Sequence, residues 1–384
     1  MKIALLTTDN REHYREYTRP MPYFGTAPEA LLQGFATLPE MEVHVVSCTR
    51  RAMTSPGKLA DNIWFHSLRV PKIGWMRTGY QGCIRAVRKK LKQIQPDLVH
   101  GQGTERDCAI SAVFSGFPNM VTIHGNMLDA ARVARARFGS YLWCAARLEN
   151  FVLKRTAGVF CNSRYTQQVV SPRAKRTWLV PNAVRMPFLV QPLSSARKPR
   201  CIVLHVGVVC ENKQQLKVLD LARALHRRNP GLEVWFLGGA DPQADYPRTF
   251  LDRIRQAEQE GCAHYLGTAK TDEELVAYFD QASALVHTPI FEAFGLVVAE
   301  ALARNLKLFA VSVGGVTDIA SGVEGAELFD ANDWSGLETA IIRWTNAGHP
   351  APVGSSTLMH ERYHPENVAR QHVEIYREVL NAHS

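Results

Sequence analysis

Hydrophobic and polar positions alternate between two patterns along the chain. Short apolar runs of strand length are separated by longer stretches in which apolar residues recur at helical spacing. In the first half the strand-like runs are Ile3–Thr8, Val43–Ser47, Ile63–Val70, Leu98–His100, Met120–His124, Val159–Asn162 and Trp178–Val180. Helical patterns lie between them at Glu29–Leu38, Gln81–Gln95 and Met127–Thr156. The second half starts afresh after the polar, Pro-bearing stretch Pro187–Pro199, with strands predicted at Cys201–Val206, Glu233–Leu237, Ala284–Thr288 and Leu308–Val311. Strands separated by helices need crossover connections, so neighbouring strands run parallel. The pattern predicts two doubly wound α/β domains, 1–181 and 182–384, linked through Pro181–Pro199. The final amphipathic stretch, Glu366–Leu380, predicts a helix over 366–381 that packs back onto the first domain.

Composition fits this reading. The chain has 384 residues, 46% hydrophobic and only 21% charged, which excludes a disordered or fibrous protein. Its eight cysteines (Cys48, Cys83, Cys108, Cys144, Cys161, Cys201, Cys210 and Cys262) show no metal-ligand or redox spacing, and they read as buried thiols of a reducing compartment. The apolar run between Lys2 and Asp9 is too short for a signal peptide and suits a buried first strand. No run approaches the roughly 18 apolar residues of a membrane span.

Charge is divided unevenly. Residues 1–181 carry 26 Lys+Arg and 12 Asp+Glu, a balance of +14, whereas residues 182–384 carry 19 and 24, a balance of −5. The basic half suits an anionic substrate, a nucleic acid or a membrane surface, and charge alone does not choose among them.

Open parallel sheets bind ligands beyond the carboxyl ends of their strands, so strand-end residues hold the candidate chemistry. In His287-Thr-Pro-Ile-Phe-Glu292-Ala-Phe-Gly295-Leu-Val-Val-Ala-Glu300, a strand ends, a loop follows and a helix opens near Gly295. Free N–H groups at such a helix start favour phosphate. Glu300 stands about 7–8 Å further along that helix, so the two carboxylates can hold hydroxyls on either side of a diphosphate. The alternative is that both are ordinary helix acids. Upstream, Val203-Leu-His-Val-Gly207-Val-Val-Cys-Glu-Asn-Lys213 leads from a strand through a glycine to a lysine that either neutralises phosphate or is merely solvated. Downstream, a strand runs into the paired glycines Gly314-Gly315, and in the first half Val121-Thr-Ile-His124-Gly125 places an imidazole at a strand end.

The order Val180-Pro-Asn-Ala-Val184, Gly207…Lys213, Glu292-x7-Glu300 and Gly314-Gly315 resembles glycosyltransferase family 4 over nearly the whole chain. The resemblance implies the GT-B fold, two Rossmann-like domains facing across a cleft, with an N-terminal acceptor-side domain and a C-terminal nucleotide-sugar donor domain. It implies transfer of a sugar from a nucleotide-diphospho-sugar to a carbohydrate or lipid-linked acceptor, with retention and without a metal. By that resemblance, Glu292 contacts donor-sugar hydroxyls, Glu300 grips the ribose and Lys213 the diphosphate. The amides around Phe294, Gly295, Leu296 and Val297 cradle phosphates or sugar, Gly207, Gly314 and Gly315 line the donor, and His124 reaches the donor sugar from the opposite domain. The resemblance implies no cofactor besides the donor as co-substrate, a UDP-sugar ahead of a GDP-sugar. The expected location is cytoplasmic, with peripheral contact to the cytoplasmic membrane.

The chain departs from the family pattern at four places. Val208 stands where Arg usually follows the glycine, Gln214 and Ala293 replace common glycines, and Gly25-Thr26 replaces a glycine pair. Gly25 and Thr26 close a long loop, Asp9–Pro28, rich in Arg, His and Tyr, which is expected to shape the acceptor site. A nucleotide-sugar epimerase or hydrolase on the same fold, and a degenerate binding-only member, are the competing readings.

Other motifs carry less. His360-Glu-Arg-Tyr-His364 matches a zinc-peptidase pattern, but Pro365 disfavours a continuous helix there, so it reads as a chance match at the start of the last helix. No Gly-x-Gly-x-x-Gly follows the first strand and no Walker lysine loop is present. The Ile84–Ile94 stretch pairs an apolar stripe at 84, 87, 91 and 94 with Arg85, Arg88, Lys89 and Lys92, which suits either an anionic lipid surface or a solvated face. Arg132, Arg135, Arg137, Phe138, Tyr141 and Trp143 add to the membrane reading, and no motif supports nucleic-acid binding.

Overall fold

The computed structural model describes residues 1–190 and 200–382. The chain divides into two compact units, one comprising Met1–Arg185 and the chain from Tyr363 onward, the other Met186–Arg362.

The first unit is built on eight strands: β1 (Lys2–Leu6), β2 (Glu42–Thr49), β3 (Lys58–Ala60), β4 (Ile63–Arg69), β5 (Leu98–Gln102), β6 (Asn119–Ile123), β7 (Gly158–Cys161) and β8 (Thr177–Leu179). Their order is β3-β4-β2-β1-β5-β6-β7-β8, parallel except for β3 on β4. Strands β1, β2 and β5 are buried on both faces, β1 through the apolar run Ile3–Leu6 and the other two with polar side chains among their buried residues. Alternate residues serve opposite layers: Ile3 and Leu5 join Phe35, Phe160 and Tyr376, while Ala4 and Leu6 join Ile84, Val87 and Leu91 of the Gln81–Ile94 helix.

The C-terminal helix, Pro365–Asn381, completes the first of these layers. His364 caps it, its ring accepting from the Glu366 amide, and Pro365 occupies the first turn, where its missing N–H costs nothing. It lies against the Thr26–Ala36 helix, and Tyr376 reaches the sheet, its hydroxyl 2.6 Å from His100 Nδ1. His100 Nε2 bonds in turn to Thr122 Oγ1 at 2.7 Å, so this fully buried imidazole has both nitrogens occupied.

The second unit carries β9 (Cys201–Val206), β10 (Leu232–Leu237), β11 (Ala263–Gly267), β12 (Ala284–His287), β13 (Lys307–Val311) and β14 (Ala326–Phe329). All are parallel, in the order β11-β10-β9-β12-β13-β14. Phe236, Phe250, Phe309 and Trp344 anchor its core.

Several expectations change. The second unit ends at Arg362 rather than 384, because the apolar face of the last helix is buried in the first unit's core. It begins at Met186, and the Met186–Val190 helix belongs to it, Phe188 packing edge-on against Phe279. Residues 191–199 of the expected link lie outside the described residues. The helix expected over Met127–Thr156 is two, Met127–Val133 and Tyr141–Leu153, because Arg135 (φ 46°) and Gly139 (φ 74°) turn the chain through the left-handed region. The His360–His364 match straddles a junction: His360 lies in the last turn of the Ser355–Tyr363 helix and His364 caps the next in extended conformation, so the two imidazoles do not share a helix face.

Gly34 sits where the two helices of the first unit touch. A Cβ there would stand 2.1 Å from the Pro365 carbonyl oxygen. Gly→Ala in a helix interior ordinarily stabilises by about 0.5–1 kcal/mol. Gly34→Ala is expected to reverse that sign and destabilise by about 1–3 kcal/mol, since the helices must separate. Equilibrium urea denaturation of the two proteins checks this.

Candidate functional site

In the second unit the chain leaves β9 for β10 on one side and returns to β12 on the other, so the strand order reverses between β9 and β12. Ligands bind in the crevice at such a reversal, beyond the carboxyl ends of the strands. The loops that open there follow Val206 and His287, and they carry Lys213 and Glu292.

These two residues meet directly. Lys213 Nζ lies 2.5 Å from Glu292 Oε2, with both side chains about one-fifth exposed. His287, at the end of β12 and fully buried, places Nε2 3.3 Å from the same oxygen. One carboxylate oxygen thus faces an ammonium and an imidazole, which leaves Oε1 as the oxygen turned to other partners.

Backbone geometry holds the loops in register. Gln214, in place of the family's glycine, adopts the left-handed conformation (φ 55°), a costly one for a residue with a Cβ. Its side chain compensates by donating to the Thr288 carbonyl at 2.7 Å, which ties the two loops together. Asn212 is a second tie: its amide nitrogen donates to the Phe291 carbonyl and its oxygen accepts from the Phe291 N–H, both at 3.1 Å. Gly207 ends the first loop's strand, its N–H donating to the Leu237 carbonyl at 2.8 Å. Gly295 stands at φ 97° at the start of the Leu296–Ala303 helix, a conformation open to glycine. Behind it, a Cβ on Gly315 would lie 2.5 Å from Phe294 Cα, so only glycine lets the Gly314-Gly315 loop approach. The Gly315 N–H donates to the Glu292 carbonyl at 3.1 Å. Leu296 and Val297 fall in the first turn, where helix amides have no intrahelical acceptor. Phe294 and Glu300 are buried, and Val208 is 65% exposed, an apolar side chain standing in water beside Gly207.

The electrostatics follow from this packing. Burial alone would raise the Glu292 carboxyl, but the Lys213 charge and the His287 ring together hold it down at about 2. Burial lowers His287, and the Lys213 charge lowers it further against the pull of Glu292, so the ring is neutral near pH 7. His205, on β9, donates from Nδ1 to the Val286 carbonyl at 3.1 Å, and burial pushes it down to about 3. His205 Nε2, His287 Nδ1 and Thr288 Oγ1 are buried with no hydrogen-bond partner among the described residues. Three such atoms lie at the strand-order reversal, where ligands of doubly wound sheets bind.

In the first unit, His124 follows β6. Its Nε2 bonds to Gln102 Oε1 at 2.7 Å, and Nδ1 is buried without a partner among the described residues. Burial and then the neighbouring His372 lower it to about 4, so it too is neutral. Gly25 and Thr26 form the start of the Thr26–Ala36 helix, Gly25 as its cap. The loop before them is pinned rather than loose. Arg11 is fully buried, with Nε and Nη2 on the Asp9 carboxylate, Nη1 on the carbonyls of Arg19, Pro20 and Thr54, and Nη2 also on Ser55 Oγ.

Sequence reading singled out Lys213, Glu292 and the glycines, and the second unit brings them together. It passed over His287, Asn212 and Arg11. His287 carried a usable signal: an imidazole closing a buried strand five residues before the key carboxylate.

Two doubly wound units, one holding a cationic and hydroxyl-accepting cluster at its strand-order reversal, define the GT-B class of α/β proteins. Residues 30–186 match the family model "Glycosyltransferase Family 4" and residues 193–351 match "Glycosyl transferases group 1". The chain belongs to the GT-B glycosyltransferases of the family 4 type. It is 34% identical over 179 residues to the D-inositol 3-phosphate glycosyltransferase of Corynebacterium aurimucosum, covering 44% of this chain and 41% of that protein. It is 26% identical over 194 residues to the alpha-maltose-1-phosphate synthase of Mycobacterium tuberculosis, covering 47% and 48%. The chain thus spans about half the length of the curated relatives it matches. Sucrose-phosphate synthase from Thermosynechococcus elongatus superposes with a TM-score of 0.75 at 19% identity over all of both chains. Anabaena Alr3699/HepE, solved in complex with UDP-glucose, superposes with 0.72 at 17% identity over 98% of this chain and 100% of that one.

The pair makes a pH-dependent contribution to stability. Because Glu292 sits below its ordinary 4.5, its contribution is present above pH 4.5 and is lost as pH falls toward about 2. Lys213→Met leaves that buried carboxylate without its cation. The variant is expected to be less stable at pH 7 by about 1–3 kcal/mol. The deficit should narrow as pH falls below about 4.5, where Glu292 becomes neutral in the variant. Unfolding curves of both proteins across that range measure it.

Proposed function

We propose that the protein is a glycosyltransferase that moves a sugar from a nucleotide-diphospho-sugar to a carbohydrate or lipid-linked acceptor, with retention at the anomeric carbon and without a metal. The observation that carries this reading is the Lys213–Glu292 pair beside the first turn of the Leu296–Ala303 helix. Departure of a nucleoside diphosphate develops negative charge on the leaving oxygen, and preorganised cations and amides are what lower that barrier. The Lys213 ammonium has three donors, so it can keep Glu292 and still reach a phosphate. The amides of Leu296 and Val297 supply further donors. Glu292 uses Oε1 for a donor-sugar hydroxyl, since Oε2 is already engaged. Glu300 takes the ribose, and the Gly207 and Gly314-Gly315 loops line the nucleotide. His124 offers its neutral Nδ1 as an acceptor toward a sugar hydroxyl. UDP-sugars are favoured over GDP-sugars as donors, and the UDP-glucose complex of the Anabaena protein supports that preference.

The acceptor is anionic or sits at an anionic membrane surface. Among the described residues no helix is long and apolar enough to cross a membrane. The first unit instead offers a basic exposed face on the Gln81–Ile94 helix and Phe138, 86% exposed, 4.5 Å ring to ring from Trp143. Basic residues beside exposed aromatics suit the headgroup region of a bilayer. The names of two relatives, with D-inositol 3-phosphate and maltose-1-phosphate, support a phosphorylated acceptor as well.

Glu292→Gln and Lys213→Ala are each expected to abolish transfer while circular dichroism stays native. Wild-type turnover in either variant would refute the donor-site assignment. A panel of UDP-, GDP- and ADP-sugars, read by thermal stabilisation, identifies the base. Incubation with donor alone is expected to leave it intact, and release of free or epimerised sugar would favour a hydrolase or epimerase. Binding to anionic vesicles is expected to weaken as salt rises, measured by co-sedimentation, and salt-independent binding would exclude an electrostatic dock.

A further inference from the structure

Three chemistry-bearing side chains of the first unit converge away from the residues discussed so far. Cys48 is the penultimate residue of β2, Cys83 lies in the first turn of the Gln81–Ile94 helix, and Asp107 opens the helix that follows β5. Their thiol sulfurs and a carboxylate oxygen all lie within 4.8 Å of one another, and all three residues are buried. Both thiols lie beside the Asp107 carboxylate. Cysteine spacing could not reveal this cluster, because each member comes from a different stretch of chain, and β1 lies between β2 and β5 in the sheet.

We propose that Cys48, Cys83 and Asp107 form a binding site for a thiophilic divalent cation, Zn2+ being the one the donor set fits. Two sulfurs and one carboxylate oxygen suit zinc, whereas magnesium and calcium demand oxygen ligands throughout. Around a tetrahedral zinc, such ligand atoms stand about 3.5–3.8 Å apart. The cluster therefore needs to contract by about 1.3 Å at most to close on the ion.

The charge balance favours the exchange. Without metal, the two neutral thiols and the Asp107 carboxylate carry one negative charge. Binding breaks both S–H bonds, releases two protons to solvent and forms two S–metal bonds and one O–metal bond. Two thiolates and a carboxylate around a dication again sum to one negative charge. The buried pocket thus holds the same net charge in both states, and no new ion is desolvated without compensation. Arg106, stacked over the Trp75 ring at 5.5 Å, supplies a positive charge next in sequence to Asp107. Uptake expels both thiol protons, so it depends on pH and rises as protons become scarcer. Bound, the ion would clasp the end of β2, the first turn of the Gln81–Ile94 helix and the segment after β5. With three protein ligands, water takes the fourth position, and the site lies in a different unit from the Lys213–Glu292 pair.

The test uses the full chain, reduced and stripped with chelator, titrated with Co2+ and then Zn2+. The expected result is saturable uptake of about one equivalent, a thiolate-to-cobalt charge-transfer band that Zn2+ displaces, and release of about two protons per ion in weak buffer. Cys48→Ser and Cys83→Ser are expected to lose the band, while Cys144→Ser, a half-exposed thiol on another helix, keeps it. Absence of saturable uptake, uptake without a thiolate band, or an unchanged band in Cys83→Ser would each overturn the proposal. Should a variant fail to fold, the band and the proton count of the unaltered protein decide the matter.

Discussion

A parallel sheet cannot be wound in one direction only and still cover both of its faces with helices. From its first strand the chain must step outward on one side and later return to the other, and the two crossovers then lie on opposite faces. In the first unit the return brings β5 beside β1, and in the second it brings β12 beside β9. The loops on either side of each return part from one another and leave a gap at the carboxyl ends of the strands. Everything chemical in the molecule depends on that parting. It joins Lys213 to Glu292 across 79 residues of sequence, and it places the long Asp9–Pro28 loop at the corresponding edge of the first unit.

The two units fill their gaps in contrasting ways. Arg11 in the first unit is an ion taken wholly out of water, an arrangement tolerated only when every donor finds an acceptor. Asp9, three carbonyls and Ser55 meet that condition, so the loop is held as firmly as core. The second unit, like His124 of the first, leaves buried polar atoms without partners among the described residues. Lys213 and Glu292 satisfy each other, yet His205, His287 and Thr288 keep buried atoms without partners among the described residues. A fully satisfied buried network holds one shape, and each buried polar atom left without a partner costs stability.

Much of this was legible before any coordinates. Apolar runs such as Ile3–Leu6 and Ala284–Val286 are buried on both faces, so they announce themselves as strands. The missed strands are edge or near-edge elements. Ala263–Gly267 and Ala326–Phe329 are mostly half-exposed and Lys58–Ala60 more so, and a half-wet edge needs no apolar run. The break after Val133 rests on a non-glycine residue, Arg135, in the left-handed region, and no residue type signals that. Gln214 is the same case: the family's glycine told of a positive φ, but the glutamine hides it and restores the cost through a hydrogen bond. The Glu292 motif was readable because its spacing is local to one loop and helix. The support of His287 and the meeting of Cys48, Cys83 and Asp107 were not, because topology rather than spacing brings those side chains together.

The return of the C-terminal helix to the first unit has a consequence for the order of synthesis. Phe35, Phe160 and the buried imidazole of His100 lie under residues that leave the ribosome only after the second unit. The sheet of the first unit therefore cannot close its core before the second unit has been made. It must stand with one layer incomplete until the whole second unit has emerged, while that unit can fold on its own local contacts. In temporal terms the second unit is a nested insertion, and the sheet begun before it is finished after it.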